Sequence, residues 1–324
     1  MRRNSLPSFT AVIEWENVRL SEFDRARKML AQLAIQIEAL QSELSEPPEL
    51  IVLYDQHAID PSEIEESVRE AFQRLPGIGL RLIPMEEKAT YYLQKNRGAE
   101  AANRDLVMFV DSDVIPEPGW LASLIGSFRD PNVEVVCGNT YVEPKDRFSK
   151  AFAAFWFFPL RSRRGGLTPA TYFYANNVLF RRDVFLAYQF PDLPQIRGQC
   201  VELGQALVRD GRRLFMQNDA RVAHPPPNGF KHFVKRALCQ GHDNMVISQR
   251  VGDSRGFPMG SARRYAGAVV RSLRQINRNR SEVGMGRLDV LAAVGIAFTY
   301  HSLSFVGEGI TWARPAYIRE HLAV

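Results

Sequence analysis

The sequence predicts an α/β protein whose mostly parallel sheet is flanked by helices. Strand and helix patterns alternate along the first part of the chain, from an apolar strand at 9–15 to a third strand at 80–84. A later apolar run at 106–110 shows no polar alternation and is therefore typical of a strand buried on both faces. The chain has 324 residues, of which 45% are hydrophobic, so it can bury a large core.

The predicted elements follow the order βαβαβ, which favours parallel pairing through right-handed crossovers. In chain order they are a strand at 9–15, a helix at 20–44, a strand at 50–54, a helix at 61–75 and a strand at 80–84. Pro47 and Pro48 stop the first helix, and Pro61 opens the second one at its first turn. Further strands are predicted at 133–138 and, as two separate strand ends, at 213–215 and 220–223.

Two carboxylates follow the apolar run at 106–110, where the chain must turn. Asp111 and Asp113 are separated by one serine, and Pro116 and Pro118 end the strand. Open α/β sheets bind ligands beyond the carboxyl ends of their strands. Two carboxylates at that place suit a divalent cation that carries a diphosphate. The alternative for a bare Asp-Ser-Asp is a turn or a helix cap.

The surroundings of this pair resemble the family 2 glycosyltransferases of GT-A fold. The hallmark of that family is an apolar strand, D-x-D, proline and a Gly-Trp-Leu helix start, and the matching residues here are Asp111, Ser112, Asp113, Pro116, Pro118, Gly119, Trp120 and Leu121. The resemblance implies a Rossmann-like GT-A domain at 1–245. The tail at 246–324 is then a basic, partly apolar helical segment.

The resemblance also implies donor-binding residues. Asp55 matches an acid that contacts the base, Lys95 a basic residue that reaches the diphosphate, and Asn176 and Asn177 a segment that faces the donor sugar. His224 matches a histidine that completes the metal coordination in many GT-A enzymes. The predicted donor-binding residues are Asp55, Lys95, Asp111, Asp113, Asn176 and Asn177, and the predicted ligands of Mn²⁺ or Mg²⁺ are Asp111, Asp113 and His224.

Each of these residues also has a structural alternative. Asp55 can cap the turn that follows it, and asparagine pairs are ordinary turn formers. Lys95 can lie on a solvated helix, and a histidine before prolines can be purely structural.

The position of the usual general base departs from the family pattern. The family has a Glu-Asp pair there, whose Asp deprotonates the acceptor hydroxyl and gives inversion. This chain has Gln199 and Cys200, an amide that cannot take a proton and a thiol that is a poor base for an alcohol. Three explanations stay open: Glu202 is the base, Asp192 reaches in from the preceding loop, or transfer is lost and only nucleotide binding is retained.

The C-terminal segment concentrates the positive charge. Residues 250–287 contain nine arginines and two acids, and Arg264, Arg271, Arg274 and Arg278 are predicted to share one helical face. Residues 290–306 then carry no formally charged side chain, at the lower length limit for a membrane span. A basic helix before an apolar one is typical of a segment that lies on, or dips into, an anionic leaflet. The alternative is a terminal helix packed on the domain.

Cysteine usage and the N-terminal residues predict a cytosolic protein. The three cysteines show no paired spacing, which fits a reducing compartment, and the basic residues 1–7 are not followed by a long apolar run. The aromatic run at 152–158 is either core or the lining of a groove for an apolar acceptor. The arginine-rich tail carries no recognisable nucleic-acid motif, which argues against nucleic acid as a partner.

The sequence therefore predicts an inverting glycosyltransferase at the inner face of the membrane, peripheral or shallowly inserted. It would move a sugar from a nucleotide-diphosphate donor, which we expect to be a uridine one, to a hydroxyl of a lipid or lipid-linked glycan, with Glu202 or Asp192 as the catalytic base. The first alternative is a catalytically degenerate protein that binds nucleotide sugar and regulates a partner. The second is a nucleic-acid-binding protein that uses the arginine-rich tail.

Overall fold

The computed structural model of the chain describes residues 5–15, 18, 23–75, 77–85, 89–252 and 256–322. By its contacts the chain divides into two compact units. Unit 1 consists of Met1–Thr140, Arg161–Asp192 and Gln199–His224, and unit 2 consists of Tyr141–Leu160, Leu193–Gly198 and Pro225–Val324. The domain boundary predicted at residue 245 lies inside a helix of unit 2, Gly229–Arg250.

The described residues form a nine-stranded sheet around which unit 1 is built. Its strands are β1 (Phe9–Glu14), β2 (Glu49–Asp55), β3 (Gly79–Met85), β4 (Leu106–Val110), β5 (Ile115–Pro116), β6 (Val135–Val142), β7 (Leu167–Pro169), β8 (Asn177–Arg181) and β9 (Leu214–His224). The helices of unit 1 are α1 (Phe23–Leu40), α2 (Pro61–Phe72), α3 (Tyr91–Ala101), α4 (Trp120–Gly126), α6 (Arg182–Tyr188) and α7 (Gln199–Arg209).

The strand order is β3-β2-β1-β4-β8-β6-β9-β5, and β7 pairs with β9. The first four strands in this order are parallel, and β8 continues the sheet antiparallel to β4. The chain moves outward from β1 to β3 and then returns to place β4 on the other side of β1. This reversal is a topological switch point, where α/β sheets bind ligands.

Strand β4 is buried on both faces, as the apolar run at 106–110 predicts. Leu106, Met108 and Val110 of β4 belong to one core cluster, and Val107 and Phe109 belong to a second cluster. All five side chains are fully buried. The carboxyl end of β4 is therefore fixed from both sides, which holds the Asp-Ser-Asp turn in place.

Most predicted elements are confirmed with small changes at their ends. The first predicted helix ends at Leu40 and is described from Phe23, so its predicted start at 20–22 lies outside the described residues. The two strand ends predicted at 213–215 and 220–223 are wrong as separate elements, because β9 runs continuously. The turn-forming Asn218 stays extended because the Gly166 carbonyl accepts its backbone N–H at 3.0 Å and β7 pairs alongside.

Unit 2 is helical, with α5 (Arg147–Phe155), α8 (Gly229–Arg250), α9 (Ser261–Asn279), α10 (Arg287–Ala313) and α11 (Tyr317–His321). α10 packs against α5, α8 and α9. A Cβ atom on Gly241 of α8 would lie 2.0 Å from the carbonyl oxygen of Ser304, so glycine allows this close helix crossing. Of the predicted aromatic run, four rings are buried and Phe157 is 45% exposed.

Candidate functional site

Asp111 follows β4, and two residues of α3 hold its carboxylate. The Lys95 ammonium lies 2.7 Å from Asp111 Oδ1, and the Tyr91 hydroxyl donates to Oδ1 at 2.8 Å and to Oδ2 at 3.0 Å. The Lys95 side chain is fully buried and its Nζ lies 4.5 Å from the centre of the Tyr91 ring. Both oxygens of Asp111 are therefore engaged by groups of unit 1.

The burial of this cluster makes each member depend on the others. A buried ammonium is stable only when it is paired and hydrogen-bonded, because transfer out of water costs several kcal/mol per ion. Burial and the negative charge of Asp111 raise the pKa of Tyr91 well above its usual value, so the hydroxyl stays protonated and donates. Gly98 allows α3 to approach β1, since a Cβ atom there would lie 2.3 Å from Cγ1 of Val12.

Asp113 and His224 form a second pair beside the first. Asp113 Oδ2 lies 3.9 Å from His224 Nε2, and both residues are buried. The short antiparallel ladder between β5 and β9 brings them together, because Ile115 pairs with Ala223. The pair therefore joins the turn after β4 to the end of β9.

Arg25 of α1 ties these two strand ends to each other. Its Nε donates to the backbone carbonyl of Asp113, and its Nη2 donates to the carbonyl of Ala223 at 2.7 Å. Ala223 directly precedes His224. One planar guanidinium thus fixes the backbone on both sides of the Asp113–His224 pair.

The donor set at this pair fits a divalent cation. With metal–ligand bonds of about 2.1 Å, two ligands of one ion lie about 3 to 4.2 Å apart, so 3.9 Å is compatible with a shared ion. A carboxylate oxygen and an imidazole nitrogen are both ordinary ligands of such ions. Among the described residues no group of three or more His, Cys, Asp or Glu side chains is arranged to hold a metal. The protein would thus supply two ligands, and Asp111 as a third stays a prediction.

The predicted asparagine pair divides into two different environments. Asn177 is fully buried: Trp120 Nε1 donates to its Oδ1 at 2.8 Å, and its Nδ2 donates to the Ala220 carbonyl at 3.3 Å. This amide connects the Gly-Trp-Leu helix start to β9 and therefore supports the scaffold. Asn176 accepts a hydrogen bond from the Thr140 hydroxyl at 3.0 Å. Its role toward a sugar stays a prediction.

The remaining predicted residues lie at strand and helix ends of unit 1. Asp55, at the end of β2, accepts the backbone N–H of His57 at 2.9 Å, which is the turn-capping geometry. Glu202 is half-buried in the first turn of α7, and Asp192 is exposed. Neither the base contact of Asp55 nor the catalytic roles of Glu202 and Asp192 are tested by this geometry.

Residues 30–188 match the family model described as glycosyl transferase family 2. The chain belongs to this family. The matched segment contains the turn with Asp111 and Asp113, the Gly-Trp-Leu helix start and the Asn176–Asn177 pair. It ends before the segment that carries Gln199 and Cys200.

Two curated glycosyltransferases are similar to the chain in sequence. A pre-mycofactocin glycosyltransferase of Mycobacterium tuberculosis is 29% identical over 164 residues, which are 49% of this chain and 35% of that protein. The chain thus spans about a third of that relative's length. A glucosyl-dolichyl phosphate glucuronosyltransferase of Haloferax volcanii is 25% identical over 230 residues, 65% of this chain and 71% of that protein.

The fold is that of solved GT-A glycosyltransferases. A mannosyltransferase from Pyrobaculum calidifontis, in complex with GDP-Man and Mn²⁺, superimposes with a TM-score of 0.58 at 15% identity. The match covers 97% of this chain and 89% of that one. At this identity the likeness is one of fold, and it confirms the predicted α/β class of this family 2 chain.

The position at which the resemblance predicts the family's general base is buried and carries no carboxylate. Gln199 and Cys200 begin α7, and both are buried. The Tyr92 hydroxyl donates to Cys200 Sγ at 3.5 Å, and burial raises the pKa of the thiol. Cys200 therefore stays a neutral thiol near pH 7 and cannot act as the base.

Two residues of this family 2 site, Tyr91 and Arg25, lie outside the predicted set. Tyr91 precedes Lys95 by one helical turn, so helix periodicity alone places both on one face of α3. Arg25 contacts partners 88 and 198 positions away along the chain. No local sequence signal could have identified such long-range contacts.

Proposed function

We propose that this chain transfers a sugar from a nucleotide-diphosphate donor to a hydroxyl group, with a divalent cation held by Asp113 and His224. The observation that carries the proposal is the Asp113–His224 pair, at 3.9 Å, beside the switch point of a GT-A sheet. The family 2 match supports the reaction class. The Pyrobaculum mannosyltransferase binds GDP-Man and Mn²⁺ in its own structure, which agrees with this donor class.

In this proposal some residues of the chain hold the cation, and others fix the backbone that carries those residues. A bound divalent cation supplies positive charge for the leaving diphosphate, on which negative charge develops in the transition state. Asp113 and His224 hold the cation, and Arg25 fixes the backbone that carries them. The buried Lys95–Asp111 pair holds the turn after β4 in a fixed position. We expect a uridine nucleotide, with Asp55, Asn176 and Lys95 on the donor side.

We propose inversion, with Glu202 as the general base and Asp192 as the alternative. Direct displacement at the anomeric carbon needs a general base near the acceptor hydroxyl, and a carboxylate can serve as one. The buried, neutral thiol of Cys200 does not meet this need. Glu202 lies in the same first turn of α7 and is half-buried, so it retains access to solvent and substrate.

The acceptor that we propose is a lipid or a lipid-linked glycan at the cytoplasmic face of a membrane. The relative from Haloferax volcanii is named for a dolichyl phosphate acceptor. One described helix, α10, is long and apolar enough by length and composition to cross a membrane, and 28% of its apolar window is buried in the protein. Apolar surface on the second unit agrees with an acceptor that resides in lipid.

The first test is donor binding and turnover across a panel of nucleotide sugars with Mn²⁺ or Mg²⁺. We compare the native chain with Asp113→Ala, Glu202→Gln and Asp192→Asn, and use Asp183→Asn on α6 as a control. We expect metal-dependent release of nucleotide that Asp113→Ala abolishes and that one of the two base variants reduces at least a hundredfold. Metal-independent turnover, or equal turnover in Asp113→Ala, would contradict the proposal.

A second function is a nucleotide-sugar-binding regulator without catalysis, which the buried Gln199–Cys200 pair favours. In that case the native chain binds the donor with metal but releases no nucleotide. The double variant Gln199→Glu/Cys200→Asp then restores the family pair. Turnover that rises from zero in this variant would support the regulator, whereas native turnover would exclude it.

A further inference from the structure

The helix α10 has two unlike faces within unit 2. Its buried stripe consists mostly of small or polar residues, spaced three or four apart, and contains Ala293, Ala297, Tyr300, Ser304, Gly307, Glu308 and Thr311. Its exposed face carries large apolar side chains over the full length of the helix, namely Leu288, Leu291, Phe298, Val306 and Trp312. These five side chains are between 50% and 68% exposed. This pattern is the reverse of a helix that hides its apolar residues in the protein.

The two carboxylates of α10, Asp289 and Glu308, form ion pairs within unit 2. Glu308 is buried, and Arg264 of α9 donates to its Oε2 from Nε at 3.1 Å and from Nη2 at 2.6 Å. Near the other end of the helix, Asp289 pairs with Arg147 at 3.1 Å and lies 3.5 Å from Lys150. Insertion of α10 across a bilayer would break these pairs and turn the buried polar stripe of the helix toward lipid, so the structure disfavours a span.

The helix α9 supplies exposed arginines beside this apolar face. The sequence predicts that Arg264, Arg271, Arg274 and Arg278 share one face of this helix, and the guanidinium of Arg264 is paired with Glu308 of α10. Arg263, Arg271, Arg274 and Arg278 of α9 are exposed, and so is Arg280, which directly follows the helix. Val270 and Leu273 on the same helix are 44% and 41% exposed, so α9 presents apolar side chains to solvent as well as arginines.

The two helices lie side by side. The Tyr265 ring contacts Phe298 and Phe305 of α10 at centroid distances of 6.1 and 6.0 Å. Ser272 Oγ lies 2.8 Å from Nε2 of His301. The exposed arginines of α9 and the exposed apolar residues of α10 thus belong to neighbouring, mutually packed helices, and we call them together the α9–α10 surface.

We propose that the α9–α10 surface binds an anionic lipid bilayer with both helices in the plane of the interface. The proposal deepens the membrane acceptor of the proposed function and rests on it for its biological meaning. Large apolar side chains enter the headgroup boundary, and the arginines meet lipid phosphates. Trp312, at the end of α10, belongs to the residue type that favours this interface.

Charge complementarity selects a bilayer over a second copy of the chain. Two copies joined through this surface would bring at least eight exposed arginines together, four from each α9, and like charges that meet at an interface oppose association. An anionic leaflet supplies the opposite charge. Arginine near such a leaflet contributes about 1 kcal/mol, which is roughly a fivefold gain in binding per residue.

The test is co-sedimentation of the full chain with vesicles of phosphatidylcholine containing 0 or about 30% phosphatidylglycerol. We expect binding only to the anionic vesicles, roughly a hundredfold weaker binding for Arg271→Gln/Arg274→Gln/Arg278→Gln, and loss of binding for Leu291→Ser/Phe298→Ser. The matched control is Arg97→Gln/Arg129→Gln/Arg209→Gln, three exposed arginines of unit 1, which removes the same charge elsewhere.

Two further measurements distinguish membrane binding by the α9–α10 surface from a membrane span, a dimer and DNA binding. Brominated lipids should quench the fluorescence of Trp312, since the other three tryptophans are buried, and Trp312→Phe should abolish this quenching. Alkaline carbonate should release the bound protein. Resistance to carbonate, binding that is equal in the control and the arginine variants, dimers in place of vesicle binding, or salt-sensitive binding to DNA in place of lipid would each overturn the proposal. Donor turnover of every variant is measured in parallel, so failure of lipid binding is distinguished from failure of the enzyme.

Discussion

Asp113 Oδ2 and His224 Nε2 lie 3.9 Å apart, one at the turn after β4 and the other at the end of β9. The two strands are not neighbours in the sheet, and β5 makes the connection by pairing with β9. The consequence is a carboxylate and an imidazole that face each other in a buried position. This relationship leads to the first prediction.

Replacement of either member should weaken metal binding. We expect His224→Ala and Asp113→Asn each to lower the affinity for Mn²⁺ at least tenfold in the presence of a nucleoside diphosphate, because one of two protein ligands is lost. Calorimetric titration of Mn²⁺ measures this change. Asp183→Asn serves as the control, since Asp183 is exposed and accepts the Val184 backbone N–H at the start of α6. Unchanged affinity in His224→Ala would remove the histidine from the metal site.

Arg25 should act as a positioning residue for the same pair. Arg25→Lys keeps the positive charge but cannot donate to both the Asp113 and Ala223 carbonyls in one plane. We expect about tenfold weaker Mn²⁺ binding and a higher KM for the metal, with little change in the thermal unfolding midpoint. Arg27→Lys is the matched control, because Arg27 lies over the Phe23 ring and not at the strand ends. Equal metal affinity in both variants would assign Arg25 a stabilising role only.

The Lys95–Asp111 pair should dominate the stability of the turn after β4. Lys95→Met leaves a buried carboxylate without its cation and should lower the free energy of unfolding by about 3 to 5 kcal/mol. The double variant Lys95→Met/Asp111→Asn should recover part of this loss, because no buried charge then remains. Urea unfolding of the four proteins of the cycle gives the coupling. Additive effects of the two substitutions would show that the two groups do not depend on each other.

Asp243 in unit 2 should make stability fall as the pH rises. Burial raises the pKa of Asp243 to about 7, although Arg197 and the backbone N–H of Ile196, at 2.6 Å, favour its charged form. Because the folded state binds the proton more tightly than an unfolded chain with pKa 3.8, stability is full below pH 4 and is lost progressively up to pH 7. The loss is at most about 4 kcal/mol.

Asp243→Asn removes this titration and tests the sign. We expect the urea midpoint of the native chain to decrease between pH 4 and pH 7 relative to that of the variant, with no further divergence at pH 8. Gln249→Ala, at an exposed position of the same helix, controls for a general effect of substitution in α8. Parallel curves for the native chain and Asp243→Asn would show that the carboxyl is not buried as described.

The sequence by itself determined the elements whose causes are local. The uninterrupted apolar run at 106–110 predicts a strand buried on both faces, and the acids after it predict a site at its carboxyl end. The family resemblance, carried by the same turn and the Gly-Trp-Leu start, is confirmed by the match of residues 30–188. Periodicity, turn residues and motif order act over a few positions, so they can be read without knowledge of distant contacts.

Only the tertiary structure decided which polar groups face each other. It pairs Asp111 with Lys95 and Tyr91, places the Asn177 amide between Trp120 and β9, and pairs Arg264 with Glu308. It also makes Arg25 the link between two strand ends. These contacts join residues that are far apart in the chain, and their geometry follows from strand order and helix packing, which local sequence patterns do not encode.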